Sequence, residues 1–495
     1  MTAPDADAAV EALFNPRSIT ILGASRSVNK WGNIIPGNII GGGYRGPLFL
    51  VNPQGGEIHG MPVYRSVEEV PGPLDLVMVT IPAEKVEGEL EACGRAGARV
   101  AIVISGGFSE SGPEGREMER RMVERAHAAG LRVVGPNTMG IYTASLNLTA
   151  LMPAVRPLPG SIAFAAQSGN LGTQMLGYGA YRGVGFSRFV CIGNECDLDF
   201  VDYLRYFARD EATRVILLYV EGFKRPRLFL EEARRISPRK PIVIYKAAGT
   251  GAGRSAAASH SAAMAGSEEL YSGMIAQLGM VRARTTEEML DISDALAKMP
   301  LPRGNRVAVL TWGGGWGVVT ADLCEREGLE VPPLPEEVRE RMDRLLPSYW
   351  SRGNPVDLVG FFDIDAHINC LRELVTSDAF DGVISLGTVN ANVSFREMVE
   401  REWAAVDEED KRKVRLHMEK MTEAFVQTVV ELTERHRKPI VTVGMPQRES
   451  DMHLLPEESR RMCIYSNPER AVRVMSALVT RARFLRERGA VGTES

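Results

Sequence analysis

Ser168, Glu221 and His260 have side chains that can do chemistry, and each follows an apolar segment in the middle of the chain. These segments alternate with amphipathic ones, which predicts parallel strands joined by helices. The carboxyl ends of parallel strands meet at one edge of a sheet, so we expect the three side chains to lie close together. A carboxylate beside a histidine fixes the imidazole tautomer and supports its charged form. The pattern therefore predicts a nucleophilic histidine with a supporting glutamate, the alternative for Glu221 being a surface carboxylate.

The surroundings of His260 favour a mobile loop. Residues 256–266 are nearly all small, and glycines stand at 249, 251 and 253. Small side chains leave space around an imidazole, and a loop rich in glycine and alanine can move and pass close to other backbone. The alternative is a structural histidine at the start of a helix of small residues, since a lone histidine is weak evidence of catalysis.

Two turns predict anion-binding sites at helix N-termini. In each, a strand leads through a turn into a helix, where unpaired backbone N–H groups and the helix dipole favour negative charge. Two such helix starts facing one another would hold a dianionic phosphoryl group with few side-chain charges. The residues predicted to bind phosphate are Ser168, Gly169 and Asn170 in the first turn and Gly313, Gly314 and Gly315 in the second.

The first third of the chain predicts a nucleotide-type domain without the signature for NAD. Apolar strands alternate with helices, so a ligand is expected at the carboxyl ends of a parallel sheet. The glycine spacing is not that of the dinucleotide fingerprint, and the second strand ends in Asn52-Pro53 without the acidic residue that holds a ribose. An NAD-linked oxidoreductase is therefore disfavoured. A different phosphate-bearing ligand is expected, and the alternative is a set of glycine turns that only connect strands to helices.

Composition excludes several classes of protein and of site. With 58 basic and 63 acidic residues the formal net charge is −5, which gives no electrostatic reason to expect nucleic acid or an anionic membrane. No apolar run approaches the length of a membrane span, and the N-terminus carries no secretory signal. The six cysteines form no C-x-x-C pair, so no metal site is expected. A cytoplasmic protein of about three domains is expected.

Motifs in a fixed order connect these features to a known family. The chain resembles the α subunit of ADP-forming acetyl-CoA synthetases, and more broadly the NDP-forming acyl-CoA synthetases related to succinyl-CoA synthetase. The resemblance covers roughly residues 13–477. It rests on Ile-Leu-Gly-Ala-Ser at 21–25, Val-Asn-Pro at 51–53, Ile-Ser-Gly-Gly-Phe-Ser-Glu at 104–110, Gly-Pro-Asn at 135–137, Gln-Ser-Gly-Asn-Leu-Gly-Thr at 167–173, Glu-Gly at 221–222, Ser-His at 259–260, Gly-Gly-Gly at 313–315 and Asn-Pro-Val-Asp-Leu at 354–358.

The resemblance implies an α/β fold with a Rossmann-like CoA-binding domain followed by two flavodoxin-like, succinyl-CoA synthetase-like parallel-sheet domains. The expected boundaries are 10–150 for the CoA-binding domain, 155–298 for the ligase domain with the phosphohistidine loop, and 303–482 for the second flavodoxin-like domain. Residues 483–495 are expected to form a disordered tail.

The resemblance also implies the chemistry. In the family, an acyl-CoA and phosphate give an acyl phosphate, which phosphorylates a histidine matched here by His260. The glutamate that orients this histidine is matched by Glu221, and the phosphorylated loop then carries the group to ADP. No nucleotide-binding motif is found and too little chain follows Gly444 for an ATP-grasp domain. A separate ATP-grasp β subunit is therefore expected to bind ADP or ATP and Mg²⁺, in an α2β2 or other oligomer. The alternative is a non-catalytic acyl-CoA-binding or regulatory module, against which the His260–Glu221 pair argues.

CoA, phosphate and a small organic acid are the implied ligands of this chain. Gln54 stands where the family tends to place a lysine that reaches a CoA phosphate, and Arg26 and Lys30 are the candidates to replace it. Trp312 and Trp316 depart from the family and hint at an acid other than acetate, the alternative being packing against a neighbouring subunit. The residues expected to bind CoA are Gly23, Ala24, Ser25, Arg26, Lys30, Asn52, Pro53, Ile81, Pro82, Ser105, Gly106, Gly107 and Asn137.

Overall fold

The computed structural model divides into two compact units. It describes residues 5–247, 268–361, 363–387, 407–444 and 457–489. The first unit is Met1–Ala180 with Val184–Met289, and the second is Tyr181–Gly183 with Leu290–Ser495. Within the described residues, no helix has the length and apolarity needed to cross a membrane.

The first unit begins with a seven-stranded sheet in the order β3-β4-β2-β1-β5-β6-β7, parallel except for the β3–β4 pair. Its central strands are short apolar runs buried on both faces, as expected for a parallel sheet covered by helices. The strands are β1 (Ile19–Leu22), β2 (Leu48–Val51), β3 (Gly56–Ile58), β4 (Met61–Tyr64), β5 (Leu76–Val79), β6 (Val100–Val103) and β7 (Arg132–Val134), and the helices are α1 (Ala6–Phe14), α2 (Trp31–Gly42), α3 (Ala83–Arg95) and α4 (Pro113–Ala128).

A second seven-stranded sheet, in the order β14-β13-β12-β10-β11-β8-β9, completes the first unit. The hairpin of β8 and β9 pairs antiparallel with β11, so these strands extend the second sheet although the predicted first domain runs to residue 150. The strands are β8 (Gly140–Thr143), β9 (Leu148–Leu151), β10 (Leu158–Ala166), β11 (Gly185–Cys191), β12 (Val215–Val220), β13 (Ile242–Lys246) and β14 (Val281–Arg282), and the helices are α5 (Gly169–Arg182), α6 (Phe200–Arg209), α7 (Pro226–Ile236) and α8 (Glu268–Gln277).

The second unit contains a five-stranded parallel sheet in the order β16-β15-β17-β18-β19. Its strands are β15 (Val307–Thr311), β16 (Val356–Asp357), β17 (Gly382–Leu386), β18 (Ile440–Val443) and β19 (Cys463–Tyr465). Helix α9 (Thr286–Lys298) leads into it, and α10 (Gly314–Arg326), α11 (Glu336–Asp343), α12 (Ile364–Thr376), α13 (Glu408–His436) and α14 (Pro468–Glu487) follow.

The predicted α/β fold with successive parallel sheets is confirmed. The predicted disordered tail begins too early, because residues 483–487 form the last turn of α14. Leu485 is buried there, and Arg486 Nη1 donates hydrogen bonds to the carbonyl oxygens of Pro302 and Arg303. The position of this segment at the end of the chain predicted disorder, whereas the buried Leu485 holds it in the helix. The remaining domain boundaries stay predictions.

Candidate functional site

A cavity of about 280 Å³ lies in the first unit at the carboxyl ends of strands from both of its sheets. Ile104 and Asn137 reach it from the ends of β6 and β7, Gln167 from β10, Glu195 from β11 and Glu221 from β12. Ligands of open parallel sheets bind at such strand ends. The cavity therefore lies where the sequence places a site.

Five of the predicted site residues line this cavity. They are Asn137, Ser168, Gly169, Asn170 and Glu221. His260 and the small-residue loop around it lie outside the described residues, so the nucleophile stays a prediction. The predicted convergence of Ser168 and Glu221 at one edge of the second sheet is what the structure shows.

The N-terminus of α5 opens onto the cavity through Ser168 and Gly169. The backbone N–H of Leu171 donates to Ser168 Oγ at 3.4 Å, which leaves earlier N–H groups of the first turn unpaired within the helix. A Cβ atom added at Gly169 would lie 2.4 Å from Met139 Cγ, so only glycine lets the helix begin this close to the wall. Helix starts of this kind bind phosphate.

Gln167, which the sequence analysis did not single out, fixes the main chain of Glu221. Gln167 Oε1 accepts hydrogen bonds from the N–H groups of Glu221 and Gly222, and Gln167 Nε2 donates to the Gly222 carbonyl oxygen at 2.9 Å. On the other side, the buried Lys246 donates from Nζ to the Glu221 carbonyl oxygen at 2.7 Å. The ammonium group also lies 4.6 Å from the centre of the Tyr271 ring. The half-buried Glu221 side chain thus projects from a main chain held on both sides.

Glu195 is a second residue that the sequence analysis missed. Only 4% of it is exposed, and its φ of 57° is in the left-handed region that favours glycine. Its Oε1 accepts from the Phe200 N–H at 3.1 Å, and its Oε2 accepts from Gln167 Nε2 at 2.9 Å. Burial, followed by the nearby Asp199 carboxylate, raises the pKa of Glu195 to about 8. The Lys224 ammonium, on the same cavity wall, acts in the opposite direction.

Asn194 joins the loop after β11 to the loop after β6. Asn194 Nδ2 donates to Glu110 Oε2 and, at 3.0 Å, to Glu119 Oε2, while Glu110 Oε1 accepts from the Gly107 N–H at 2.6 Å. Burial alone would raise the pKa of Glu110, but hydrogen bonds from Asn194 and from the Gly107 backbone outweigh it and lower the pKa. Glu110 is therefore ionised at neutral pH and ties the predicted CoA-binding loop to the cavity.

The predicted CoA-binding residues of the first sheet lie at its carboxyl ends. A Cβ atom added at Gly32 would lie 2.0 Å from the Gly23 carbonyl oxygen, so α2 begins directly against the turn after β1. Asn52 Nδ2 donates to the Ala24 carbonyl oxygen at 2.7 Å and joins the turns after β1 and β2. Lys30 stands at the N-cap position of α2, and its side chain makes no capping hydrogen bond. The remaining members of the set occupy the same edge: Ser25, Arg26 and Pro53 after β1 and β2, Ile81 and Pro82 after β5, Ser105, Gly106 and Gly107 after β6, and Asn137 after β7.

Arg26 lies across the turn that contains Gln54. A Cβ atom added at Gly56 would lie 2.0 Å from Arg26 Nη2, so the guanidinium rests on the glycine backbone. The φ of 97° at Gly56 is also one that other residues rarely adopt. Arg26 thus brings a cation to the turn that contains Gln54.

The second predicted phosphate turn lies in the second unit. Gly313 caps α10, and Gly314 and Gly315 form its first turn. Trp312 stacks on His367 with a ring separation of 5.0 Å. His367 is fully buried, which lowers its pKa to about 3 and keeps it neutral. Trp312 therefore belongs to the packing beside the third sheet.

Trp316 lies on the first turn of α10 and is 43% exposed. Its exposure leaves both interpretations open, a wall of the acid site or a contact with another subunit. A group of three or more His, Cys, Asp or Glu side chains able to hold a metal does not occur among the described residues.

Comparisons with known proteins identify two domain families in this chain. The family described as CoA binding domain matches residues 17–144, and the family described as succinyl-CoA ligase like flavodoxin domain matches residues 159–296. The α subunit of ADP-forming acetate–CoA ligase I from Pyrococcus furiosus is 36% identical over 95% of this chain and 97% of its own length. The ADP-forming 4-hydroxybutyrate–CoA ligase of Nitrosopumilus maritimus is 27% identical over 94% of this chain and 63% of its own length.

Solved structures give the same result for the fold. The dinucleotide-forming acetyl-coenzyme A synthetase 1 of Ca. Korarchaeum cryptofilum, in complex with phosphate and ADP, superposes with a TM-score of 0.82 at 32% identity, covering 97% of this chain and 99% of that one. A CoA-binding domain followed by a succinyl-CoA ligase-like flavodoxin domain is therefore the fold of the first unit, and the second unit adds a further parallel sheet. The chain belongs to the ADP-forming acyl-CoA ligase family and is an acid–thiol ligase of the kind that includes the acetate–CoA ligase α subunits.

Proposed function

We propose that this chain is the catalytic α subunit of an acid–CoA ligase that interconverts acyl-CoA, ADP and phosphate with an organic acid, CoA and ATP. The reaction passes through an acyl phosphate and a phosphohistidine at His260. A separate ATP-grasp β subunit binds ADP or ATP and Mg²⁺, and the two subunits form an α2β2 or other oligomer. The relatives that are named α subunits support a partner of this kind.

The single observation that carries the proposal is the shared cavity. Its wall includes Asn137 from the CoA-binding sheet, the α5 start at Ser168 and Gly169, and Glu221. CoA held along the strand ends of the first sheet would present its thioester beside a phosphate held by the N–H groups of α5. One cavity then brings together the thioester and the phosphate that form the acyl phosphate.

A phosphate oxygen attacks the thioester carbonyl, the C–S bond breaks, and an acyl phosphate forms. CoA leaves as a thiol that takes up the proton lost by the attacking hydrogen phosphate. The unprotonated imidazole nitrogen of His260 attacks the phosphorus, and the organic acid leaves as a carboxylate. Glu221 accepts a hydrogen bond from the other ring nitrogen and stabilises the imidazolium. The phosphoryl group then passes to ADP on the partner.

Two side chains support phosphate binding in this proposal besides the α5 backbone. Asn170 lines the cavity next to the helix start, and Lys224 contributes the ammonium group. Gly313, Gly314 and Gly315 form a helix start of the same type at α10, and we assign them the same role for the phosphorylated loop. Arg26 and Lys30 supply the cations for CoA phosphates.

The test is phosphorylation of the purified chain, reconstituted with its β subunit and labelled ATP. We expect acid-labile phosphate on the wild-type chain and none on His260→Asn. A matched control is His417→Asn, which changes an exposed histidine on α13 and should leave the label unchanged. Label that persists in His260→Asn contradicts the proposal. CoA binding without any label would favour the non-catalytic acyl-CoA module instead.

A further inference from the structure

Glu195 has no part in the steps above, although it forms part of the cavity wall. It follows β11 and precedes α6, and its side chain is almost fully buried. The loop is fixed by backbone hydrogen bonds to the segment after β7. The N–H of Asn194 donates to the Pro136 carbonyl oxygen at 2.9 Å, and that of Cys196 donates to the Gly135 carbonyl oxygen at 3.1 Å. These contacts hold Glu195 at a φ of 57°, a backbone conformation that non-glycine residues rarely adopt.

The contacts of Glu195 lead to Glu221 through one intermediate. Glu195 Oε2 accepts from Gln167 Nε2 at 2.9 Å, and the second N–H of this amide donates to the Gly222 carbonyl oxygen at 2.9 Å. Gln167 Oε1 accepts from the N–H groups of Glu221 and Gly222. The amide therefore uses both donors and both acceptor positions. The main chain at Glu221 and Gly222 meets one side of the amide, and the acceptor at Glu195 holds the second N–H on the other side.

We propose that Glu195 is a positioning residue for the ligase reaction, because its carboxyl group orients the Gln167 amide and that amide fixes the main chain from which Glu221 reaches the cavity. The inference rests on the role of Glu221 in the proposed function. Misplacement of a catalytic group by about 1 Å costs on the order of 100-fold in rate. Loss of the Glu195 acceptor should therefore act on turnover more than on the binding of CoA.

A structural role must be separated from this one. Glu195 also accepts from the Phe200 N–H, so its removal weakens the N-terminus of α6. Charged neighbours are Asp199 at the cap of that helix and Lys224 on the cavity wall. A residue that only stabilised α6 would lower the fraction of folded enzyme without changing turnover per folded molecule.

The experiment is a double-mutant cycle in the reconstituted αβ enzyme. We compare the wild type, Glu195→Ala, Gln167→Ala and the double variant, and measure kcat, KM for CoA and the melting temperature. Each single variant should lower kcat at least about tenfold, with KM for CoA changed less than about twofold. The double variant should be no slower than Gln167→Ala alone, because the two residues act through one path. Additive losses would overturn the proposal.

Two further variants keep the result interpretable. Glu195→Gln retains a carbonyl oxygen that accepts from Gln167, so it should recover most of the turnover lost in Glu195→Ala, and equal losses in the two variants would overturn the proposal. If alanine prevents folding, Glu195→Met, which has a similar length and no oxygen acceptor, takes its place. Glu232→Ala removes a partly buried carboxylate of α7 that pairs with Arg205 and Arg235, and should leave kcat unchanged.

Labelling of His260 is measured in parallel. A wild type without label would refute the proposed function itself. A labelled wild type with Glu195→Ala labelled at the same rate would refute only the role of Glu195.

Discussion

Replacing Glu195 with glutamine should stabilise the protein at alkaline pH. The buried carboxyl has its pKa raised from 4.5 to about 8, so the folded state holds a proton that the unfolded chain releases between these values. The free energy of unfolding therefore falls as pH rises through this window. A pKa difference of this size lowers the free energy of unfolding by roughly 5 kcal/mol at pH 9. Glutamine does not ionise and avoids this cost.

The curves of unfolding free energy against pH for the wild type and for Glu195→Gln are expected to cross. At pH 5 both side chains are neutral, and Glu195→Gln should be equal to the wild type or about 1 kcal/mol less stable, because its amide offers one acceptor for the two N–H donors of Gln167 and Phe200. At pH 9 the variant should be more stable by several kcal/mol. For a unit of this size that is a rise in melting temperature of roughly 5–10 °C.

Differential scanning calorimetry of both proteins at pH 5, 7 and 9 measures this. The difference between the two proteins at each pH cancels the contributions of all other titrating groups. Glu232→Gln is a control whose stability relative to the wild type should change with pH in the opposite direction. Hydrogen bonds from Arg235 and Arg205 outweigh burial and lower the pKa of Glu232. A Glu195→Gln variant that is destabilised equally at pH 5 and pH 9 would show that the carboxyl is ionised in the folded protein, and would refute the reasoning.

Two further substitutions test the binding residues. Gly56→Ala should displace the Arg26 guanidinium and weaken CoA binding about tenfold, as measured by calorimetric titration. The control is Gly60→Ala, which changes a glycine that also has a positive φ, 75°, but has open space around it, and which should leave CoA binding unchanged. Equal effects of the two substitutions would exclude the role of Arg26. Lys224→Gln should raise KM for phosphate about tenfold and leave KM for CoA unchanged. The control, Lys85→Gln, replaces an exposed lysine and should change neither KM. A KM for phosphate that stays unchanged in Lys224→Gln would show that Lys224 does not bind phosphate.

The placement of Ser168 and Glu221 could be predicted because it depends on a short-range pattern. Apolar runs of strand length followed by a small or acidic residue identify β10 and β12, and parallel pairing brings their ends to one edge. The same rule places the glycine turns after β1 and β6. Chain order and local composition carry all of this information.

Glu195 and Asn194 could not be found in this way. In the sequence they belong to a polar loop that looks exposed, and only pairing of that loop with the segment at Gly135 and Pro136 buries the glutamate. The hairpin of β8 and β9 was missed for a related reason. Its antiparallel pairing with β11 is a contact between distant parts of the chain, which periodicity does not reveal.

The pKa values of two carboxyls on the cavity wall, the partly buried Glu110 and the buried Glu195, are shifted in opposite directions, and this affects the charge that a phosphate would meet. Hydrogen bonds keep Glu110 ionised, whereas burial keeps Glu195 protonated at neutral pH. An ionised Glu195 would add a negative charge to a wall whose described residues already include the ionised Glu110, with the Lys224 ammonium as their counter-charge. Because Glu195 is buried and protonated, its carboxyl group can accept a hydrogen bond from Gln167 and carries no negative charge. It therefore does not repel the phosphate of the proposed reaction.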